Sequence, residues 1–357
     1  MNHFSKISTF LSIILLFAVN FVFAQQKEIT GDFRAATIDS VLRLLKDKYA
    51  YPDIALKMDA AIREKQQRGE YDSISDGNRL AEKITADLRS VFDDKHLKLS
   101  FSAQPIPAQS SRAGIPSPEE IAAARARQRR ENFGLQKAEV LKGNIGLIRL
   151  NYFAPLDWSA DAYSAAMNLV ADTDALIIDV RENHGSMDIN TIPFFCSYLF
   201  DKPVQIGDIF VRETNENRQL WTYAKIAGRK YLDKPVYVLT GNQTASGAEA
   251  FAGHLKRLKR AVLVGEVTEG ATMPGGSFRV NENFSIWIST GRSTNGSAKN
   301  ENKGVVPDVS TEGKKALKEA YLLALKQLSE SSKDETWKNE LKTIAAQMLG
   351  DDKIFSE

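Results

Sequence analysis

The residues most able to do chemistry lie in Asn242-Gln243-Thr244-Ala245-Ser246-Gly247-Ala248-Glu249. The apolar run Val236–Thr240 precedes them and Ala250-Phe251-Ala252-Gly253-His254-Leu255 follows, which predicts strand, tight turn and helix. Ser246 would then sit at a helix N-terminus, beside unpaired N–H groups and the positive end of the helix dipole. Such groups can hold a developing oxyanion, so a nucleophilic Ser246 would mean acyl transfer. The competing reading is an ordinary N-cap serine.

A nucleophilic serine needs a base, and the chain has four histidines. His3 falls in the N-terminal leader described below. His254 is eight residues beyond Ser246 on the same predicted helix, about 12 Å along the axis at ~1.5 Å per residue, and cannot reach the hydroxyl. Two candidates remain: His96 in Asp93-Asp94-Lys95-His96-Leu97, and His184 in Arg181-Glu182-Asn183-His184-Gly185. A neutral imidazole near pH 7 can take the serine proton and return it to a leaving amine. The turn at His184-Gly185-Ser186 follows a buried strand, where glycine permits close approach. Gly185 and Gly247 are the natural oxyanion N–H donors, unless the turn is only a strand-to-helix loop. Cys196, the single cysteine, lies in the apolar run Ile192–Cys196 and reads as a buried structural thiol.

The elements that must position these residues follow from periodicity. Asp32 to about Leu88 has helical spacing: Ile38, Val41, Leu42 and Leu45, then Leu80, Ile84 and Leu88. Tyr51-Pro52-Asp53 breaks the first run, and Ser73–Asp76 starts the next helix. Leu97–Phe101 alternates as a strand. Ser102 to Gly114 is rich in Pro, Ser, Ala and Gln and reads as a linker, followed by a charged helix from Ser117 to Arg130. From Ala138 onward, strands (145–150, 175–180, 236–240, 261–265) interleave with helices (157–170, 189–199). Phe278–Val280 and Ser285–Ser289 read as paired strands, and two helices (314–328, 335–348) close the chain. Apolar strands between helices predict an α/β core with both sheet faces covered. The resulting division is 1–24 signal peptide, 28–101 helical module, 102–135 linker and charged helix, 136–312 α/β core, and 313–357 C-terminal helices.

Net charge is +2, with 47 Lys and Arg against 45 Asp and Glu, which gives no electrostatic case for nucleic acid. Lys6, the apolar stretch Thr9–Phe23 and Val22-Phe23-Ala24 before Gln25 have the pattern of a secretory signal. The stretch falls short of the ~20 residues a spanning helix needs, although an uncleaved anchor is the competing reading. No cysteine follows it for lipidation. The expected location is periplasmic or secreted, with no membrane span after cleavage. One cysteine cannot form an intramolecular disulfide, so the exported chain must rely on its core. No metal-spaced His/Cys cluster occurs, and no cofactor is called for.

Val180–Gly185, Asn242–Glu249, Leu263–Gly270 and Glu301-Asn302-Lys303-Gly304-Val305-Val306-Pro307-Asp308 occur in this order. Together they resemble the tail-specific, or C-terminal-processing, serine protease family over roughly Asp32 to Thr311. That resemblance implies α/β architecture: a crotonase/ClpP-like core with an N-terminal helical module. Ser-Lys members carry a lysine base where this chain has Ala271, and a PDZ domain where it has only about 40 residues, Ser102 to Lys142. The chain is more similar to the PDZ-less branch of the tricorn protease core and the interphotoreceptor retinoid-binding protein repeats. In that branch serine pairs with histidine and a glutamate orients it, which implies Ser246, His96 and Glu301. The tricorn-type serine before the histidine is replaced here by Lys95. The activity implied is a serine peptidase acting on peptides or unfolded proteins through an acyl-enzyme. The alternatives are a hydrophobic-ligand (retinoid- or fatty-acid-like) binder on the same fold, and a serine hydrolase acting on esters. The sequence is silent on oligomeric state.

Overall fold

The computed structural model describes residues 29–108, 117–293 and 302–350. The first segment opens with three helices, α1 (Gly31–Lys48), α2 (Pro52–Gln67) and α3 (Gly77–Val91). Each start is encoded locally. Thr30 Oγ1 caps α1 through Phe33 N–H (3.3 Å), Pro52 occupies the first turn of α2, and Asp76 Oδ1 caps α3 through Arg79 N–H (2.8 Å). The stripes Ile38/Val41/Leu42/Leu45 and Leu80/Ile84/Leu88 are buried against one another. A loop carrying His96 then leads into β1 (Lys98–Phe101).

After α4 (Pro118–Arg130), started by a Ser117/Glu120 capping box, come β2 (Leu135–Leu141), β3 (Ile145–Leu150), α5 (Leu156–Val170) and β4 (Ala175–Asp179). Next are α6 (Thr191–Cys196), β5 (Gln205–Val211), β6 (Glu216–Trp221), β7 (Val236–Thr240), α7 (Gly247–Arg257) and β8 (Val262–Gly265). The chain continues through β9 (Gly275–Arg279), β10 (Phe284–Ser289), β11 (Gly291–Ser293), β12 (Val309–Ser310), α8 (Ala316–Ser331) and α9 (Glu335–Gly350). The central sheet has six strands in the order β12-β8-β7-β4-β3-β2, parallel except for the antiparallel β2–β3 pair. Ile148, Ile178, Val238 and Leu263 face a core that includes α5, α6 and α7 residues. Leu147, Ile177, Tyr237, Leu239 and Val264 face a second core that includes α8 and α9 residues. Covering both faces is why these strands read as unbroken apolar runs. Cys196 is buried in the first core, and burial pushes its thiol well above the usual range.

Two small sheets lie outside this frame. In one, β1 pairs with β10, and β10 with β9, all antiparallel. Phe284, Ile286 and Ile288 of β10 therefore complete the core of the N-terminal helices. Spatially, the helical module is not confined to 28–101, because it borrows a hairpin some 180 residues downstream. In the other, β11-β5-β6, the β5–β6 hairpin was invisible in the sequence. β6 (Glu-Asn-Arg-Gln-Leu-Trp) is polar and largely exposed, with no apolar alternation to betray it.

Candidate active site

Ser246 occupies the turn between β7 and α7. Thr244 builds that turn: its N–H donates to Gly241 O (3.0 Å), and its Oγ1 accepts from Gly241 N–H (2.9 Å) and donates to Val180 O (2.8 Å). Ala245 N–H donates to Asn183 O (3.0 Å), tying the turn to the loop after β4. Ser246 itself has φ 53° and ψ −120°, a region that costs a non-glycine residue about 1–3 kcal/mol. Ser246 and Glu249 pair as a capping box at the start of α7, and the Glu249 carboxylate takes the Ser246 N–H. What separates Ser246 from an ordinary N-cap is its backbone conformation, since the capping residues of α1, α3 and α4 are extended.

The strain is held by Glu249, one turn into α7 and fully buried. Its carboxylate accepts from Ser246 N–H (3.0 Å), Gly270 N–H (2.7 Å), Ala271 N–H (2.7 Å) and the Thr268 hydroxyl. Burial pushes the carboxyl above its ordinary value, and the four donors oppose it. This one side chain thus fastens the serine turn to the loop at 268–271.

Gly247 and the loop after β4 approach so closely that a Cβ on Gly247 would lie 2.5 Å from Ser186 Cβ and 2.7 Å from Ser186 N. Gly185, at φ +119°, leaves no room either: a Cβ there would lie 2.7 Å from Ser246 Cβ. Gly185, however, is not a free donor. Its N–H is given to Asn183 Oδ1 (2.9 Å), while Asn183 Nδ2 donates to Leu150 O (3.0 Å). The N–H groups of Gly247 and Ser186, by contrast, have no acceptor among the described residues. The Gly185 N–H expected as a donor is thus already taken, and the open amide is the next one along the chain. Sequence alone could not show which of two adjacent amides Asn183 would occupy.

His96 lies in the loop between α3 and β1. Its imidazole stacks on Trp287 of β10 (centroids 4.4 Å, planes 22° apart), and its N–H donates to Asp94 Oδ1 (3.0 Å). Asp94 is buried, with Oδ2 accepting from Tyr49 OH (3.1 Å) and Ser289 Oγ (2.7 Å). Burial lowers the His96 pKa below its ordinary value; Asp94 and Glu269 pull it up and Arg89 down. Its Nδ1 is buried with no partner among the described residues. No hydrogen bond joins His96 to Ser246. The link runs through Lys95, whose Nζ donates to Glu269 O, and Glu269 N–H, which donates to Thr244 O (3.0 Å).

The other sequence candidates fall as follows. Glu301 lies outside the described residues, as does the leader 1–24. His184 is exposed on the loop after β4, with its N–H on Asn151 O (3.0 Å). His254 faces β5, where its ring is 2.8 Å from a Cβ on Gly207, and burial pushes its pKa down to about 4. Ala271 is buried and offers only its N–H, to Glu249. Glu266 and Asp308 bind backbone amides, Asp308 Oδ2 accepting from Leu263 N–H (2.9 Å), as loop-fixing groups do. Among the described residues no helix is long and apolar enough to cross a membrane.

A six-stranded mixed sheet bearing a strained serine at a strand–helix turn, with two open amides beside it, has the architecture of a serine acyl-transferring peptidase. Residues 144–311 match the family model of peptidase family S41, and residues 31–131 match the N-terminal domain of peptidase S41 in eukaryotic IRBP. The chain belongs to peptidase family S41. A carboxyl-terminal-processing protease of Synechocystis sp. is 27% identical over 154 residues, 42% of this chain and 33% of that protein. The chain thus spans a third of the curated relative it matches. Three solved structures share the fold. A candidate peptidase from Parabacteroides merdae has a TM-score of 0.53 at 14% identity, covering 78% of this chain and 90% of its own. A lipoprotein from Streptococcus agalactiae has 0.52 at 18%, covering 80% and 94%. The tricorn protease has 0.50 at 14%, covering 89% and 37%.

Proposed function

We propose that the protein is an exported serine peptidase that hydrolyses peptide bonds through an acyl-enzyme. Ser246 attacks the carbonyl carbon as His96 takes its proton. The tetrahedral oxyanion is held by the N–H groups of Gly247 and Ser186. The imidazolium gives its proton to the leaving amine, and His96 then activates the water that hydrolyses the ester. Glu301 is the carboxylate proposed to orient His96; the orphaned, buried Nδ1 is the atom such a carboxylate would bind. The leader 1–24 supports export, and the substrate is a peptide or unfolded protein.

The observation that carries this reading is the strained Ser246 with two unspent amides beside it. A fluorophosphonate probe tests it: the intact chain should label at Ser246, and Ser246→Ala and His96→Ala should not. Equal labelling of Ser246→Ala would overturn it. The match of 31–131 to the N-terminal domain found in eukaryotic IRBP favours a second reading, a hydrophobic-ligand binder. Failure to label, together with retained fatty-acid or retinoid binding, would select that one.

A further inference from the structure

Building on the proposed role of His96, we propose that Glu269 is a positioning residue of this site, strapping the His96 loop to the Ser246 loop and bringing the loop that bears its carboxylate up to the base. Its backbone is fixed from both sides. Glu269 N–H donates to Thr244 O (3.0 Å), two residues before the nucleophile, and Glu269 O accepts from Lys95 Nζ, one residue before the base. Its neighbours are locked too, because Thr268 Oγ1, Gly270 N–H and Ala271 N–H all converge on Glu249. The residue therefore hangs between two loops that must keep their register for a proton to pass.

The side chain is exposed, and its charge reaches His96. The charged groups acting on the imidazole are Asp94 from its own loop, Arg89 from α3, and Glu269 from the loop after β8. Asp94 is committed to its own hydrogen bonds with Tyr49, Ser289 and the His96 N–H. Burial and Arg89 both disfavour the imidazolium that forms when Ser246 gives up its proton. Asp94 offsets them from within the His96 loop, and Glu269 adds to it from the side of the Ser246 loop. Lys95 thus has a role of its own here: it pulls the loop bearing Glu269 onto the helical module.

Two readouts test this. In the full chain carrying Ser246→Ala, the His96 imidazole is titrated by NMR with and without Glu269→Gln. The expected midpoint falls by about half a unit to one unit, as loss of a nearby opposite charge requires. That difference should shrink in ~1 M salt, because the carboxylate is exposed. An unmoved midpoint overturns the proposal, and this readout does not depend on the chain being a peptidase. In the chain with Ser246 intact, the acid limb of the fluorophosphonate labelling rate should shift down with Glu269→Gln by the same amount. Lys95→Met should slow labelling about tenfold, on the scale of a small misplacement of reacting groups. A shifted NMR midpoint with an unshifted acid limb, or Lys95→Met labelling at the full rate, would overturn the role. No labelling of the unmodified chain would instead overturn the proposed function.

Discussion

Ser246 shows how much a single residue's environment decides. A serine at a strand–helix turn is an N-cap by default, and its backbone angles are what set Ser246 apart. Glu249 is the counterweight to that strain. Glu249→Ala would strand three buried N–H groups and the Thr268 hydroxyl. The expected loss is about 2–4 kcal/mol, read as a lower urea midpoint, since each orphaned buried donor costs roughly 1–3 kcal/mol before relaxation. Gly247→Ala would drive a methyl group into Ser186 and its amide. Labelling and hydrolysis should fall about 100-fold, the scale of losing an oxyanion donor, while circular dichroism stays native. The turn that carries Ser246 was legible in the sequence through its flanking strand and helix, and the histidine candidates could be named by type alone. Which amide of the loop at 183–186 stays open was not legible. That choice belongs to the Asn183 side chain, whose hydrogen bond no local pattern encodes.

At the scale of elements, the strands of the central sheet were readable because both faces are buried and periodicity collapses into apolar runs. The β5–β6 hairpin was not, because its outer strand carries charge and amide side chains. The pairing of β1 with β10 was equally hidden, and it matters for the base. Trp287 of β10 provides the surface on which His96 stacks. Trp287→Ala should lower the labelling rate about tenfold by freeing the ring, while an intact Ser246 turn keeps residual reactivity. Element α7 supplies a pH prediction through His254. Its folded pKa of about 4 lies below its ordinary value of 6.5, so between those pH values the unfolded chain binds the extra proton. Stability is complete above pH ~6.5 and declines as pH falls through ~4, by a total on the order of 3 kcal/mol. His96, also lowered, adds in the same direction. His254→Gln should flatten that acid slope in urea titrations run from pH 7 to pH 4.

For the whole molecule, the proposed site is assembled from distant stretches of chain. Ser246, the loop at 183–186 and Glu249 follow strands of the central sheet, whereas His96 comes from the N-terminal helical module with its borrowed β9–β10 hairpin. The Lys95–Glu269–Thr244 link is where the two halves meet at the site. The central claim is that these halves form one acyl-transfer centre. Mass spectrometry of the fluorophosphonate-treated chain tests it most directly. The account predicts one adduct, on the peptide containing Ser246, at a rate that rises with pH through the His96 titration and is lost in His96→Ala. An adduct on another residue, or undiminished labelling of His96→Ala, would contradict it.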